Sequence, residues 1–379
     1  MNILYIADPN SIHDIRWINF LAEREAIKCF LIGRYSHFQK FVVERSLFNS
    51  NVTILAPIRD PSTIWLWKNW YEAFKIRRII RKHQIGLLHI LYAEPNALWA
   101  RWKCFFKIPV VVTTHGTDIL KTIPQFFQEP GILNRLVSKQ YLKALKCADH
   151  ITCTSFLQVE HIEKLKVFSA VTIVRTGVDF KMIERAHKKA CNLPEIKKSF
   201  VLMPRSMKAI YNHEFTLEAI ALLDGVLKEK YAFVFLDSLT RNEQYFQDIC
   251  RRAVEIDAEI RFLPALDHSS LLAFYRLASL VVMNPLSDGS PVTAMEALAC
   301  KIPIILPPLN YDKELFGDAF VFEEWTPGSL KTKIEDVLKA DPLTLAGSAE
   351  RNYQRILKFG NADIEMAKLK VIYESLLHQ

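Results

Sequence analysis

Two carboxylates, Asp288 and Glu296, stand eight positions apart in the run SDGSPVTAMEALACKIPIILPP, with Gly289, Ser290 and Pro291 between them. A polar, glycine-containing loop that turns into a helix suits an anionic or hydroxyl-rich ligand. The first backbone N–H groups there lack intrahelical partners, and the helix dipole is positive at that end. Pro291 has the fixed φ and missing N–H of a first helical position, which makes Ser290 the expected N-cap. Glu296 lies among Ala294, Met295, Ala297 and Leu298, where a carboxylate needs a partner to offset lost hydration. Two readings stay open from the residues alone: a Glu tolerated near a helix start, or a carboxylate that holds a ligand.

Other side chains could meet the same ligand. His115, in TTHGTD, follows the apolar run 110–114, and open α/β sheets bind ligands beyond the carboxyl ends of their strands. A lone histidine is as readily structural. Arg205 follows the apolar run 200–203, and a guanidinium offers several permanently charged donors, which suits a diphosphate. Lys208 is the next cation. Ser11, His13, Asp14 and Arg16 follow the first apolar run, 2–7, where Ser11 also reads as a helix N-cap.

The elements that must carry these residues alternate. Strand-like runs at 2–7, 29–32, 52–56, 87–91 and 110–114 are separated by helix-length segments, and the segment ending at Arg24 carries Ile15, Ile18, Leu21 and Ala22 at helical spacing. The rhythm restarts with 200–203, 231–236, 260–263, 280–283 and 302–306, after a polar connector, CNLPEIKKS, at 191–199. Such alternation predicts an α/β protein with parallel, doubly wound sheets in two domains. No G-x-G-x-x-G follows the first strand, which disfavours a dinucleotide cofactor. The helix after Pro291 is expected to end near Lys301, before Pro303.

The spacing of Asp288 and Glu296 with EALACKIPII resembles the E-x7-E segment and following "EAMACGxPVI" run of retaining GT-B glycosyltransferases, glycosyltransferase family 4 in particular. HGTD at 115–118, Pro204–Arg205, TGVD at 176–179, DHITCTS at 149–155 and YRLASLVVMNP at 275–285 resemble family landmarks in the same order. The departures are Asp288 for the first Glu, Lys301 for a Gly, Thr176 for an Asn, Ser279 for an Asp, and Tyr211 at the position of a phosphate-binding Lys, with Lys208 nearby. The resemblance implies a GT-B fold, two Rossmann-like domains facing a cleft. The expected acceptor domain is 1–180, the donor domain 181–360, and a C-terminal helix at 361–379 returns to the first domain.

The resemblance further implies a nucleotide-diphosphate sugar as donor, a lipid-linked saccharide or other envelope polysaccharide as acceptor, and no metal or cofactor. Glu296 would hold the ribose, and Asp288, Gly289, Ser290 and Pro291 would face the sugar. Arg205 and Lys208 would clamp the diphosphate, His115 would touch the sugar with Asp118 orienting its turn, and Ser11, His13 and Arg16 would meet the acceptor. Ser155 would cap the following helix. The rivals are a hydrolysing nucleotide-sugar 2-epimerase and a non-catalytic scaffold of the same fold.

Composition narrows the partners. The chain has 379 residues, half of them hydrophobic, and a formal charge of +8, which favours an acidic partner. Seven scattered cysteines without C-x-x-C fit reduced thiols, the start MNILYIADPN reads as no signal peptide, and no apolar stretch is long enough to span a bilayer. The expected location is cytoplasmic, on the inner face of the plasma membrane. Trp65, Trp67 and Trp70 are interleaved with Lys75, Arg77, Arg78 and Arg81, a mixture that suits an anionic membrane surface. No nucleic-acid-binding signature accompanies the charge.

Overall fold

The computed structural model describes residues 1–23, 27–40, 43–63, 65–188, 193–237, 242–288 and 291–378. Gly289 and Ser290 lie outside the described residues. The chain divides into two compact units, Met1–Thr176 with Glu365–Gln379, and Gly177–Ile364.

The first unit is built on seven strands: β1 (Asn2–Ile6), β2 (Lys28–Ile32), β3 (Val52–Ile54), β4 (Leu87–Leu91), β5 (Val110–Thr114), β6 (His150–Cys153) and β7 (Ala170–Ile173). They pair in parallel in the order β3-β2-β1-β4-β5-β6-β7. Side chains alternate across a strand, so Leu4 and Ile6 enter one apolar cluster while Ile3 and Tyr5 enter another on the opposite face. A sheet covered on both faces needs strands that are apolar throughout, which is why β1, β4 and β5 read clearly as strands. Helix α1 (Ile12–Glu23) buries Ile15, Trp17, Ile18, Leu21 and Ala22. Helix α2 (Trp70–Lys82) buries Glu72, Ala73, Ile76 and Ile80 and leaves Trp70, Tyr71 and Phe74 exposed.

The second unit has six strands: β8 (Ser199–Met203), β9 (Tyr231–Leu236), β10 (Glu259–Leu263), β11 (Leu280–Val282), β12 (Ile304–Leu306) and β13 (Phe320–Val321). Their order is β10-β9-β8-β11-β12-β13, all parallel. Helix α3 (His268–Tyr275) precedes β11, and α4 (Val292–Ala299) joins β11 to β12. The start of α4 differs from expectation. Pro291 is itself the N-cap, in extended backbone, and the helix begins at Val292. Proline has no N–H to donate, but its carbonyl accepts from the Ala294 and Met295 N–H groups at 3.0 and 3.1 Å and so opens the helix from the cap position. The helix also ends at Ala299, two residues before Lys301. Lys301 then adopts φ +61°, the left-handed conformation in which glycine is favoured.

Both strand orders reverse direction beside the first strand of the unit, between β1 and β4 and between β8 and β11. That reversal opens a crevice at the carboxyl ends, where such sheets bind ligands. β7 and β13 were not expected from the sequence. Both are edge strands, β13 only two residues long, and neither carries the continuous buried run that marks a central strand.

Helix α5 (Ala362–Leu377) lies from Glu365 onward in the first unit, where Met366, Leu369, Ile372 and Tyr373 join the cluster of Ile3, Tyr5 and Trp17. Its anchor is polar as well. The Tyr373 hydroxyl meets the Tyr5 hydroxyl at 3.1 Å and bonds His89 Nδ1, whose Nε2 lies 2.6 Å from Thr113 Oγ1. All four groups are buried, and each finds a partner within the network.

Candidate functional site

In the second unit, the crevice is built from the loop after β8, the start of α4 and the segment after β12. Arg205 is the hub. Its guanidinium donates to Thr293 Oγ1 and to Asp288 Oδ2, each at 3.1 Å, and it lies 4.1 Å from the Tyr211 ring centroid. Three fixed contacts hold a flexible side chain in one orientation. The Ser206–Tyr211 turn carries Lys208, half-buried, and buried His213 braces it through Nε2, 3.0 Å from the Ser206 carbonyl.

Glu296 follows Thr293 by three residues, so the two share a face of α4. It is buried, with Oε1 2.7 Å from His268 Nε2. The partner that its apolar neighbours demanded is therefore a histidine, on α3. Sequence reasoning missed His268 because nothing in the run ALDHSS distinguishes a ligand-facing imidazole from a surface one.

Two more polar groups of this crevice escaped the sequence. Asn284, just beyond β11, is buried with neither amide atom hydrogen-bonded, and the Tyr311 hydroxyl, beyond β12, is equally buried and without a partner. Burial pushes the Tyr311 phenol far up, Asp288 adds to the rise, and Arg205 opposes it. Asn284 and Tyr311 both stand at strand carboxyl ends, the edge at which open α/β sheets bind ligands.

The first unit places His115 just beyond β5. The Asp118 carboxylate accepts hydrogen bonds from the backbone N–H groups of His115 (3.1 Å), Gly116 (2.9 Å), Ile119 (2.9 Å) and Ala93 (2.7 Å). This one carboxylate ties the turn to the end of β4. Gly116, at φ +114°, supplies the backbone conformation that an L side chain would resist. The His115 ring lies 6.0 Å from Trp17, 6.1 Å from Tyr92 and 6.5 Å from His13. Tyr92 itself holds φ +64°, a strained setting for a bulky residue.

His115 Nε2 stands 3.6 Å from Asp14 Oδ1. Burial pushes the Asp14 carboxyl up, and His115 works against that rise. Of the three amino-terminal residues expected to meet an acceptor, Ser11 caps α1: its hydroxyl accepts from the Asp14 N–H at 3.3 Å and donates to Asp14 Oδ1 at 3.3 Å. His13 is exposed and Arg16 half-buried. Asp14, from the same loop, brings its carboxylate toward His115. Ser155 sits at the N-cap of the helix after β6, yet its hydroxyl is buried without a partner, so the capping expected from its position is not made.

Comparison with known proteins identifies the family and the fold. Residues 2–155 match the family described as Glycosyl transferase 4-like, and residues 184–354 match Glycosyl transferases group 1. An uncharacterised glycosyltransferase of Methanocaldococcus jannaschii is 25% identical over 285 residues, which are 72% of this chain and 71% of that protein. A Rickettsia africae glycosyltransferase superposes with a TM-score of 0.76 at 14% identity, covering 99% of this chain and 98% of the other. Anabaena HepE, crystallised in complex with UDP, gives a TM-score of 0.77 at 12% identity, covering 99% and 100%. With two sheets of the expected topology and two family matches that together span most of the chain, this protein belongs to the GT-B glycosyltransferases of the family 4-like group.

Proposed function

We propose that this glycosyltransferase is a retaining enzyme that moves a sugar from a nucleotide-diphosphate donor to a lipid-linked saccharide or other envelope polysaccharide. The observation that carries the donor half is the joint placement of Arg205, Thr293 and Glu296 at the reversal between β8 and β11. In this reading Arg205 takes the diphosphate, Glu296 takes the ribose hydroxyls, and Asp288 with the start of α4 faces the sugar, beside Gly289 and Ser290. Lys208 supplies a second cation to the leaving group. His115, set by Asp118 and Asp14, touches the sugar, and Ser11, His13 and Arg16 serve the acceptor. Group transfer of this kind asks the protein mainly for positioning and for charge opposite the departing diphosphate. No metal is needed for that stabilisation. The complexes of Anabaena HepE with UDP and with UDP-glucose support a nucleotide sugar as donor.

The test is donor turnover in Glu296→Ala beside Glu323→Ala, with chelator present and absent. Loss of turnover only in Glu296→Ala, indifferent to chelator, is expected. Equal, near-normal turnover in both would remove the assignment. Product anomer analysis decides retention, and donor incubated alone reveals any epimerisation.

A second observation favours a membrane-borne acceptor. Trp65, Trp67, Trp70, Tyr71 and Phe74 are between 49% and 66% exposed and stand close in the chain to Lys75, Arg77, Arg78 and Arg81. Trp70 packs edge-on to Trp102 at 4.6 Å, and Arg77 covers Phe105 at 4.3 Å, so the rings form a patch rather than scattered residues. Exposed aromatic rings amid cations match the headgroup depth of an anionic bilayer, here the inner face of the plasma membrane. Co-sedimentation with vesicles containing phosphatidylglycerol, but not with pure phosphatidylcholine, is expected, and Trp67→Ser with Trp70→Ser should abolish it.

A further inference from the structure

We infer that His268 is a positioning residue of the donor site, acting through Glu296 to fix the carboxylate that receives the ribose. This rests on the reading of Glu296 given above. Glu296 stands on α4 between Met295 and Ala297, both fully buried, and is itself 4% exposed. A carboxylate so enclosed forfeits much of its hydration and keeps its charge only with a well-placed donor. His268 Nε2, at 2.7 Å from Oε1, is such a donor. An ionised carboxylate can only accept, so Nε2 carries the proton of this bond.

The geometry around His268 is that of a brace. It is the first residue of α3, and the preceding Asp267 caps that helix by accepting from the Ser270 N–H at 3.0 Å and from its hydroxyl at 2.6 Å. At the other end of α3 the Tyr275 hydroxyl donates to the Thr293 carbonyl at 3.4 Å. Thr293 is the residue whose Oγ1 receives Arg205. One helix thus holds α4 at two points, behind the group read as ribose ligand and behind the group that orients the diphosphate clamp. The His268 side chain is 30% exposed against 6% for Glu296, so the brace itself stands nearer to solvent than the carboxylate it holds. With Oε1 held by His268, rotation that would turn the carboxylate away costs a charge-assisted bond.

The experiment compares His268→Ala, His268→Gln, Glu296→Gln and the double variant with the parent chain. The control is Ser269→Ala, in the same turn but outside the site. Affinity for UDP and GDP is measured by titration, and donor KM and kcat with the corresponding nucleotide sugar. His268→Ala should raise Kd and donor KM about tenfold to a hundredfold, the worth of one hydrogen bond to a charged group, while kcat stays within about threefold. His268→Gln, which retains a side-chain N–H of similar reach, should recover most of the loss. His268→Ala should add little on top of Glu296→Gln, since both remove one coupled interaction. If Glu296→Gln raises KM but His268→Ala does not, or if the two losses simply multiply, the role of His268 is overturned and the donor reading stands. If Glu296→Gln leaves KM unchanged, or neither nucleotide binds the parent chain, the donor reading itself fails. Should His268→Ala not fold, His268→Leu takes its place beside His268→Gln: weakened affinity in the first with near-parent affinity in the second supports the brace, and parent-like affinity in both overturns it.

Discussion

Arg205 and Asp288 form an ion pair, Nη2 to Oδ2 at 3.1 Å, with the two side chains only 17% and 15% exposed. The guanidinium read as the diphosphate clamp is therefore already answered by a carboxylate of the neighbouring loop. A diphosphate must share or displace that carboxylate, and Tyr211 holds the cation through its ring face without adding a second charge.

Asp288→Asn should accordingly tighten nucleoside diphosphate binding, by about tenfold if the competing charge is worth about 1.4 kcal/mol, while lowering turnover. Arg205→Lys should instead weaken that binding and cut kcat/KM by about a hundredfold to a thousandfold, because a point charge cannot reproduce the forked contacts to Thr293 and Asp288. Calorimetric titration with UDP and GDP, run beside steady-state kinetics, checks both. Weaker binding in Asp288→Asn would contradict the competition.

The Tyr311 hydroxyl is buried without a hydrogen bond. Tyr311→Phe should stabilise the unliganded chain by about 1 kcal/mol, since the phenylalanine ring keeps the packing against Phe316 and removes an unpaired polar group. Urea unfolding at neutral pH reads this directly. A loss of stability would mean that the hydroxyl has a partner in solution.

Burial holds His89 down at about 3, with smaller contributions from His115 and His150. In the unfolded chain a histidine takes up its proton near pH 6.5, so between about 6.5 and 3 the unfolded state binds more protons and stability falls as pH falls. One such group contributes a slope of about 1.4 kcal/mol per pH unit within that window. The buried, likewise lowered His213 works in the same direction. His89→Gln should flatten the acid loss of stability relative to the parent, whatever it costs at neutral pH. Parallel pH profiles from chemical unfolding would count against this assignment.

Lys301 occupies a left-handed position at φ +61°, while its ammonium reaches Glu350 at 2.6 Å and covers the Tyr353 ring at 4.4 Å. The backbone strain costs about 1 kcal/mol, and the exposed ion pair returns no more than about that. Lys301→Ala keeps the strain and loses the contacts, so it should be less stable than Lys301→Gly by about 1 kcal/mol. Thermal melts of the two variants test the ordering.

The residues read as the donor site were legible in the sequence to the extent that their types and spacing constrained them. Asp288 and Glu296 flank a loop-to-helix transition, and Arg205 follows a buried strand, so their placement near the carboxyl edge of a sheet followed from local pattern. The parallel sheets followed as well, because β1, β4, β5, β8 and β9 must be apolar on both faces to be buried between helices. β13 was beyond reach, as two edge residues carry no periodicity. The shift of the helix start from Pro291 to Val292 was decided by one turn of backbone.

What the chain's order of residues determined by itself was the element alternation, the family resemblance and the chemical inventory of the crevice. Which groups touch was decided only by the fold. His268 is 28 residues from Glu296 and Asp14 is 101 from His115, and these pairs meet because parallel strands return through helices to a common edge. The same holds for the orphaned Asn284 and Tyr311, whose missing partners can be known only once every neighbour is in place. Local sequence sets backbone preference within a turn or two. Contact across a sheet depends on register and crossover, which emerge from packing the whole unit.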